Sequence, residues 1–215
     1  MNGFTLGTPT LVCRWRIYDK RLPMEHRHIR ALSARVVNGA PVSVELAAWV
    51  KQHVEWTLAD GAQANPNGVL MIAVDEEGRA AMSLGSYRPL ERVAANDLLL
   101  RAQSSWREAE QTGVSPEDLW VVRGDALVWG TSPEFAPSGA SSLIDDLART
   151  LGMPVKRDED LLASCAQRGI DADEVFLVSD EHGVVPSSNF AGQRSTKFAA
   201  SYQKLLSADR LRLGA

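Results

Sequence analysis

The chain has 215 residues, 45% hydrophobic and 23% charged, with a net charge of −4 and two cysteines. That length allows one large domain or two small ones, and the balance is that of an ordinary soluble globular chain. The acidic charge and the absence of a long basic run argue against nucleic acid as the main partner. No stretch reaches membrane-spanning length and no secretory leader is recognised, so a cytoplasmic protein is expected, with Cys13 and Cys165 as isolated thiols.

After a polar opening, residues 11–18 alternate bulky and charged side chains, as a half-buried strand does. Asp19-Lys20 makes a turn, and a helix is expected from Glu25 to about Val36, ended by Asn38-Gly39. Ser43 is a natural cap for a second helix running to about Leu58, whose Leu46, Trp49, Val50, Val54 and Leu58 share a core-packing face. Residues 69–74 and 80–84 are strands joined at Glu76-Glu77-Gly78, and they complete a small α/β domain. The expected boundaries are 1–86 for this domain, 87–92 for a connector and 93–215 for a larger α/β domain.

The larger domain opens with a helix over 95–112 capped by Gly113. Strands follow at 119–122 and 126–129, and Ser138-Gly139-Ala140-Ser141-Ser142 leads into a helix through Leu151. Residues 156–168 include another helix, ended by Gly169. The run Val175-Phe176-Leu177-Val178 is short and β-branched enough for a buried strand. Gly183-Val184-Val185-Pro186 is its partner after a tight turn, and residues 193–206 form a last helix carrying Tyr202.

Ala172-Asp173-Glu174, Ser179, Val184-Val185-Pro186 and Tyr202 stand in the order of the C-terminal signature of the class IV aminotransferases. Near the N-terminus, Arg16-Ile17-Tyr18-Asp19 and His28-Ile29-Arg30-Ala31-Leu32 resemble that superfamily's strand, turn and helix. The resemblance covers about Leu11 to Leu206 and is closest in layout to 4-amino-4-deoxychorismate lyase, with branched-chain aminotransferases also in the group. It implies a two-domain, fold-type-IV α/β (α+β) architecture, shortened at the N-terminus and lacking two strands before the Gly139 helix. It also implies pyridoxal phosphate as cofactor and a homodimer.

The same resemblance exposes departures. The family's phosphate-binding arginine falls at Ala31, with Arg30 one place early, which rotates a helical side chain by about 100°. The Schiff-base lysine falls near Ala95 or Asn96, and no lysine lies between Lys51 and Lys156. Lys197 and Lys156 are the candidates to replace it. Trp129 stands where a carboxylate should protonate the pyridine ring. The phosphate cup is partly kept as Gly139, Ser141, Ser142 and Ser179, beside the negative charge of Asp180, with a plain helix cap the other reading of Ser141. No metal motif, nucleophile elbow or Gly-rich phosphate loop is present.

The expectation is therefore an aminotransferase-like protein without ordinary pyridoxal catalysis: a pseudoenzyme or a binder of a small anionic ligand. It assigns no catalytic or metal residue and takes pyridoxal phosphate from the resemblance only. The alternatives are an active aminotransferase or lyase, and an enzyme with altered chemistry in an interdomain cleft.

Overall fold

The computed structural model describes residues 5–208, and the chain divides into two compact units at the junction of Arg88 and Pro89. The first unit runs β1 (Pro9–Arg16), α1 (Glu25–Ser33), β2 (Val36–Val37), β3 (Ala40–Pro41), α2 (Val44–Gly61), β4 (Val69–Asp75) and β5 (Ala80–Gly85). β1, β4 and β5 form an antiparallel sheet in that order. The period-2 alternation of β1 buries Leu11, Cys13 and Trp15 against Leu70, Ile72 and Val74, with Leu32 of α1 and Val50 and Val54 of α2 closing the core. Ser43 caps α2 by accepting the Leu46 N–H at 3.1 Å.

Helix α1 stops at Ser33, earlier than its sequence suggests. Asn38 and Gly39 take φ of 53° and 76°, the left-handed pair of a tight hairpin, so they join β2 to β3 instead of ending a helix. At the other hairpin, buried Asp75 accepts from the N–H groups of Gly7, Glu77 and Arg79 and from Arg79 Nε, at 2.8–3.0 Å. Burial pushes its carboxyl up, but these donors outweigh that and hold it at about 2.

The second unit runs α3 (Ala95–Thr112), β6 (Glu117–Arg123), β7 (Ala126–Gly130), α4 (Gly139–Thr150), β8 (Val155–Arg157), α5 (Leu161–Arg168), β9 (Glu174–Ser179), β10 (Gly183–Pro186) and α6 (Gln193–Ala208). Its five strands are ordered β10-β9-β6-β7-β8, antiparallel except for the parallel β7–β8 pair. Lys156 lies in β8 opposite Val128, and the helix expected within residues 156–168 is α5, from Leu161. The expected mixed α+β architecture is thus present, with separate sheets and, among the described residues, no continuous parallel one.

Strand alternation gives this sheet two different faces. Leu119, Val121, Val128, Val175 and Leu177 pack against Leu98, Leu99 and Ala102 of α3 and Leu161, Leu162 and Cys165 of α5. The opposite face carries a cross-strand aromatic row. Trp129 stacks on its β6 partner Trp120 at 4.7 Å, Trp120 on its β9 partner Phe176 at 6.2 Å, and Phe176 on Phe198 of α6 at 5.9 Å. Such pairs add to the burial of large apolar rings. The signature carboxylates hold this packing in place. Asp173 accepts the Gly124 N–H at 2.7 Å, and Glu174 accepts Arg194 N and Ser195 N at 3.1 and 2.6 Å, capping α6. Gly183, at φ 71°, lies so close to Tyr202 that an added Cβ would stand 2.7 Å from its ring. Trp120→Ala should lower unfolding stability by about 3–5 kcal/mol in urea titrations, because it removes the middle of the row.

Candidate functional site

The first turn of α4 is where an anion would be expected, because its amide groups have no partners within the helix. Here three of its amides are already engaged. Ser138 is the N-cap, and its Oγ accepts the Ser141 N–H at 3.1 Å, while Ser142 N donates to Ser138 O at 2.9 Å. Ala140 N donates to Asp180 Oδ1 at 2.7 Å. The Ser141 hydroxyl donates to Asp118 Oδ2 at 2.5 Å, and Ser142 Oγ turns back to Gly139 O at 2.8 Å. Asp118, Ser138, Ser141 and Asp180 are all buried.

Ser179 is elsewhere. Its register partner across β6 is Glu117, and Asp118 pairs with Val178, so the two acids at the start of β6 point to opposite faces. Ser179 Oγ donates to Glu117 Oε1 at 3.1 Å and accepts from the N–H groups of Glu181 and His182 at 3.2 and 3.1 Å. Glu117 in turn holds Arg101 of α3 through Nη2 at 2.8 Å. His182 Nε2 lies 3.4 Å from that nitrogen and 3.8 and 3.9 Å from Glu117 and Glu181. The cup expected from the sequence comprises Gly139, Ser141, Ser142 and Ser179. The structure keeps the first three at the start of α4 but commits Ser141 to Asp118, and it puts the Ser179 hydroxyl on the α3 side of the sheet.

The α4 cluster holds two buried carboxylates. Burial pushes the Asp118 carboxyl up from its ordinary 3.8 to about 7, against hydrogen bonds from Ser141 and Ser115, and the like charge of Asp180 adds to the rise. Asp118 and the Glu117–Arg101–His182 group escape a sequence reading. Glu117-Asp118 looks like the polar edge of a strand, and nothing in the residue order says which carboxylate is buried. Asp180 was visible as a negative charge but not as the partner of Ala140.

The remaining expected positions are also placed. Trp129 is 1% exposed. Its β6 neighbour Trp120 covers it at 4.7 Å, and the Arg157 guanidinium from β8, on the other side of β7, sits 4.4 Å from its ring centre, so both faces are taken by the chain itself. Trp129 is a packed core residue. Arg30 is exposed on α1 while Ala31 is buried. Ala95 is buried and Asn96 exposed at the start of α3. Lys156 and Lys197 are both exposed. Among the described residues, no group of His, Cys, Asp and Glu could hold a metal ion, and no helix is long and apolar enough to cross a membrane.

Solved structures share this architecture over nearly the whole chain. A putative 4-amino-4-deoxychorismate lyase from Legionella pneumophila superposes with a TM-score of 0.62 at 13% identity, covering 95% of this chain and 96% of its own. The chain has the fold of the fold-type-IV aminotransferases and lyases. A hypothetical aminotransferase from Mycobacterium tuberculosis, solved in a pyridoxal-phosphate-bound form, matches with a TM-score of 0.64 at 12% identity, covering 97% and 95%. A putative branched-chain amino acid aminotransferase from Thermotoga maritima gives 0.59 at 15%, covering 95% and 87%. No protein-family model matches the sequence, and no curated protein matches it.

Pyridoxal phosphate is the cofactor that such a fold implies, and the residues present do not fit it. The amide that should meet its phosphate meets Asp180, the hydroxyl beside that amide meets a second carboxylate, and the lysines Lys156 and Lys197 are exposed.

Asp118 gives this cluster a measurable signature. An acid whose folded pKa is raised stabilises the fold most when it is protonated. Its contribution is complete below about pH 4, where the unfolded chain is protonated too, and is lost as pH rises towards 7. Asp118→Asn removes that loss. Urea unfolding of both proteins from pH 4 to pH 8 should show wild type losing ground to the variant as pH rises, by up to about 4 kcal/mol.

Proposed function

We propose that this protein keeps the fold-type-IV scaffold but has left ordinary pyridoxal-phosphate catalysis, and works as a binding or partner-regulating protein. The observation that carries the reading is the placement of its lysines. The chain has five, Lys20, Lys51, Lys156, Lys197 and Lys204, and every one is exposed. Schiff-base chemistry needs a neutral amine, which enzymes obtain by desolvating the lysine or setting a second cation beside it. A lysine in open solvent has neither aid. Lys197 lies on the outer side of α6, beside buried Phe198, and Lys156 on β8.

The fully covered Trp129 supports the same reading, since a buried indole cannot hold a pyridinium proton as a carboxylate does. On the resemblance alone, the protein is taken to be a homodimer.

The test is borohydride reduction of the purified protein with excess pyridoxal phosphate, followed by peptide mapping. No lysine should be labelled stoichiometrically, and no amino-transfer activity should accompany whatever surface labelling occurs. Saturable labelling of Lys197 or Lys156, abolished together with an amino-transfer activity by the corresponding Lys→Ala change, would instead make this a transaminase with a relocated lysine.

A further inference from the structure

We propose that the groove between α3 and α5 is a binding site for a small alkylguanidinium cation. The groove lies wholly within the second unit, on the face of its sheet opposite to α4. The inference goes beyond the reading above, and it stands whether or not pyridoxal phosphate is bound elsewhere.

Spacing along α3 builds one wall. Gln103, Trp106, Arg107 and Glu110 recur every three or four residues, so they share one side of the helix. α5 supplies the facing wall, with Glu159 just before its first turn and Leu162 within it. Together they line a cavity of about 350 Å³, at the small end of ligand sites. Trp106 is half-buried and held on two sides. Its Nε1 donates to Glu110 Oε1 at 3.2 Å, and Phe135 meets its ring edge-on at 5.0 Å. Leu162 is buried. The groove thus joins an apolar, aromatic lining to a carboxylate on either wall.

These carboxylates have no cation of their own. Among the described residues, Glu110 takes only the Trp106 N–H, Glu159 has no partner, and Arg107 pairs with neither. Glu159 sits before a helix start, where an acid suits the dipole without any ligand. Glu110 has no such reason for its place. It lies in the last turn of α3, the negative end of that helix, and the turn holds no basic residue. Helix end and side chain therefore both call for positive charge at the groove.

The lining selects the kind of cation. A guanidinium is planar and weakly hydrated, so it can stack on an indole and give its in-plane N–H groups to carboxylates. This chain makes that stack twice with its own arginines: Arg157 lies 4.4 Å from the Trp129 ring centre, and Arg16 lies 3.4 Å from that of Tyr87. An alkyl stem would cover Leu162 as it leaves the guanidinium. A neutral ligand would leave both carboxylates unused, and an anion would be opposed by them.

n-Butylguanidinium chloride is the probe, titrated at constant ionic strength and followed in 1H–15N spectra. The Trp106 indole N–H is identified by its absence from Trp106→Phe. In wild type it should shift saturably, with a dissociation constant on the order of 1 mM for so small a ligand. Glu110→Gln combined with Glu159→Gln should weaken binding about tenfold or more. Both glutamates are exposed, and an otherwise unchanged spectrum shows that the variant is folded. n-Butylurea, the neutral analogue, should bind wild type about tenfold or more weakly than the cation. No saturable shift of the Trp106 N–H in folded wild type overturns the proposal. Equal binding of the urea does so too, because the groove would then be merely apolar. Binding that survives undiminished in the folded double variant also sinks it, because the carboxylates would then play no part.

Discussion

The second unit depends on one stereochemical constraint, the alternation of side chains along β6. Glu117 and Asp118 are neighbours in the chain and point to opposite sides of the sheet. On one side Glu117 organises Arg101, Ser179 and His182 beneath α3. On the other, Asp118 takes the Ser141 hydroxyl at the start of α4, beside Asp180. Each carboxylate is satisfied by a different helix, so neither can move without disturbing the strand that carries the other. The Ser141 and Ser179 hydroxyls accordingly belong to opposite sides of the sheet.

The aromatic row extends the same constraint across the sheet. Trp129, Trp120 and Phe176 are register partners on three adjacent strands, so their rings stack because their strands are paired. Arg157 completes the row from β8 by covering the free face of Trp129. A row built this way leaves no gap for a flat ligand between its members. It also puts a large indole at the position where the resemblance calls for a carboxylate. The substitution changes what the sheet does there, from presenting an acid to filling volume.

Much of this fold was legible from periodicity. α3 runs over the expected 95–112 and ends at Gly113 with φ 77°, and the β4–β5 and β9–β10 pairs fall where their apolar runs lie. One element was misread and one missed, each for a definite reason. Asn38-Gly39 breaks a helix or turns a hairpin equally well on paper, and the pairing of Val36 with Pro41 decides for the hairpin. The strand β8 was not read at all, because three residues give too short a pattern to detect. The site was less legible than the fold. Its individual residues could be named, but the distinction between a serine that waits for phosphate and one that braces a carboxylate lies in tertiary placement. The charge of Asp180 was visible in the sequence; its hydrogen bond to Ala140 was not.

The signature residues are thus better understood as parts of a scaffold than as evidence of a reaction. Asp173 ties a hairpin turn, Glu174 caps α6, Ser179 closes a turn onto Glu117, and Tyr202 packs over a glycine that no larger residue could replace without displacing it. Every one of these tasks would persist in a chain that had stopped binding a cofactor, because each holds a strand end or a helix start in place. Selection on the fold alone would retain them. The resemblance alone calls for an amine at the start of α3 and an acid at the end of β7, where this chain has Ala95 or Asn96 and Trp129. These members of the pattern are the fold's own caps and ties, and the strand ends and helix starts depend on them.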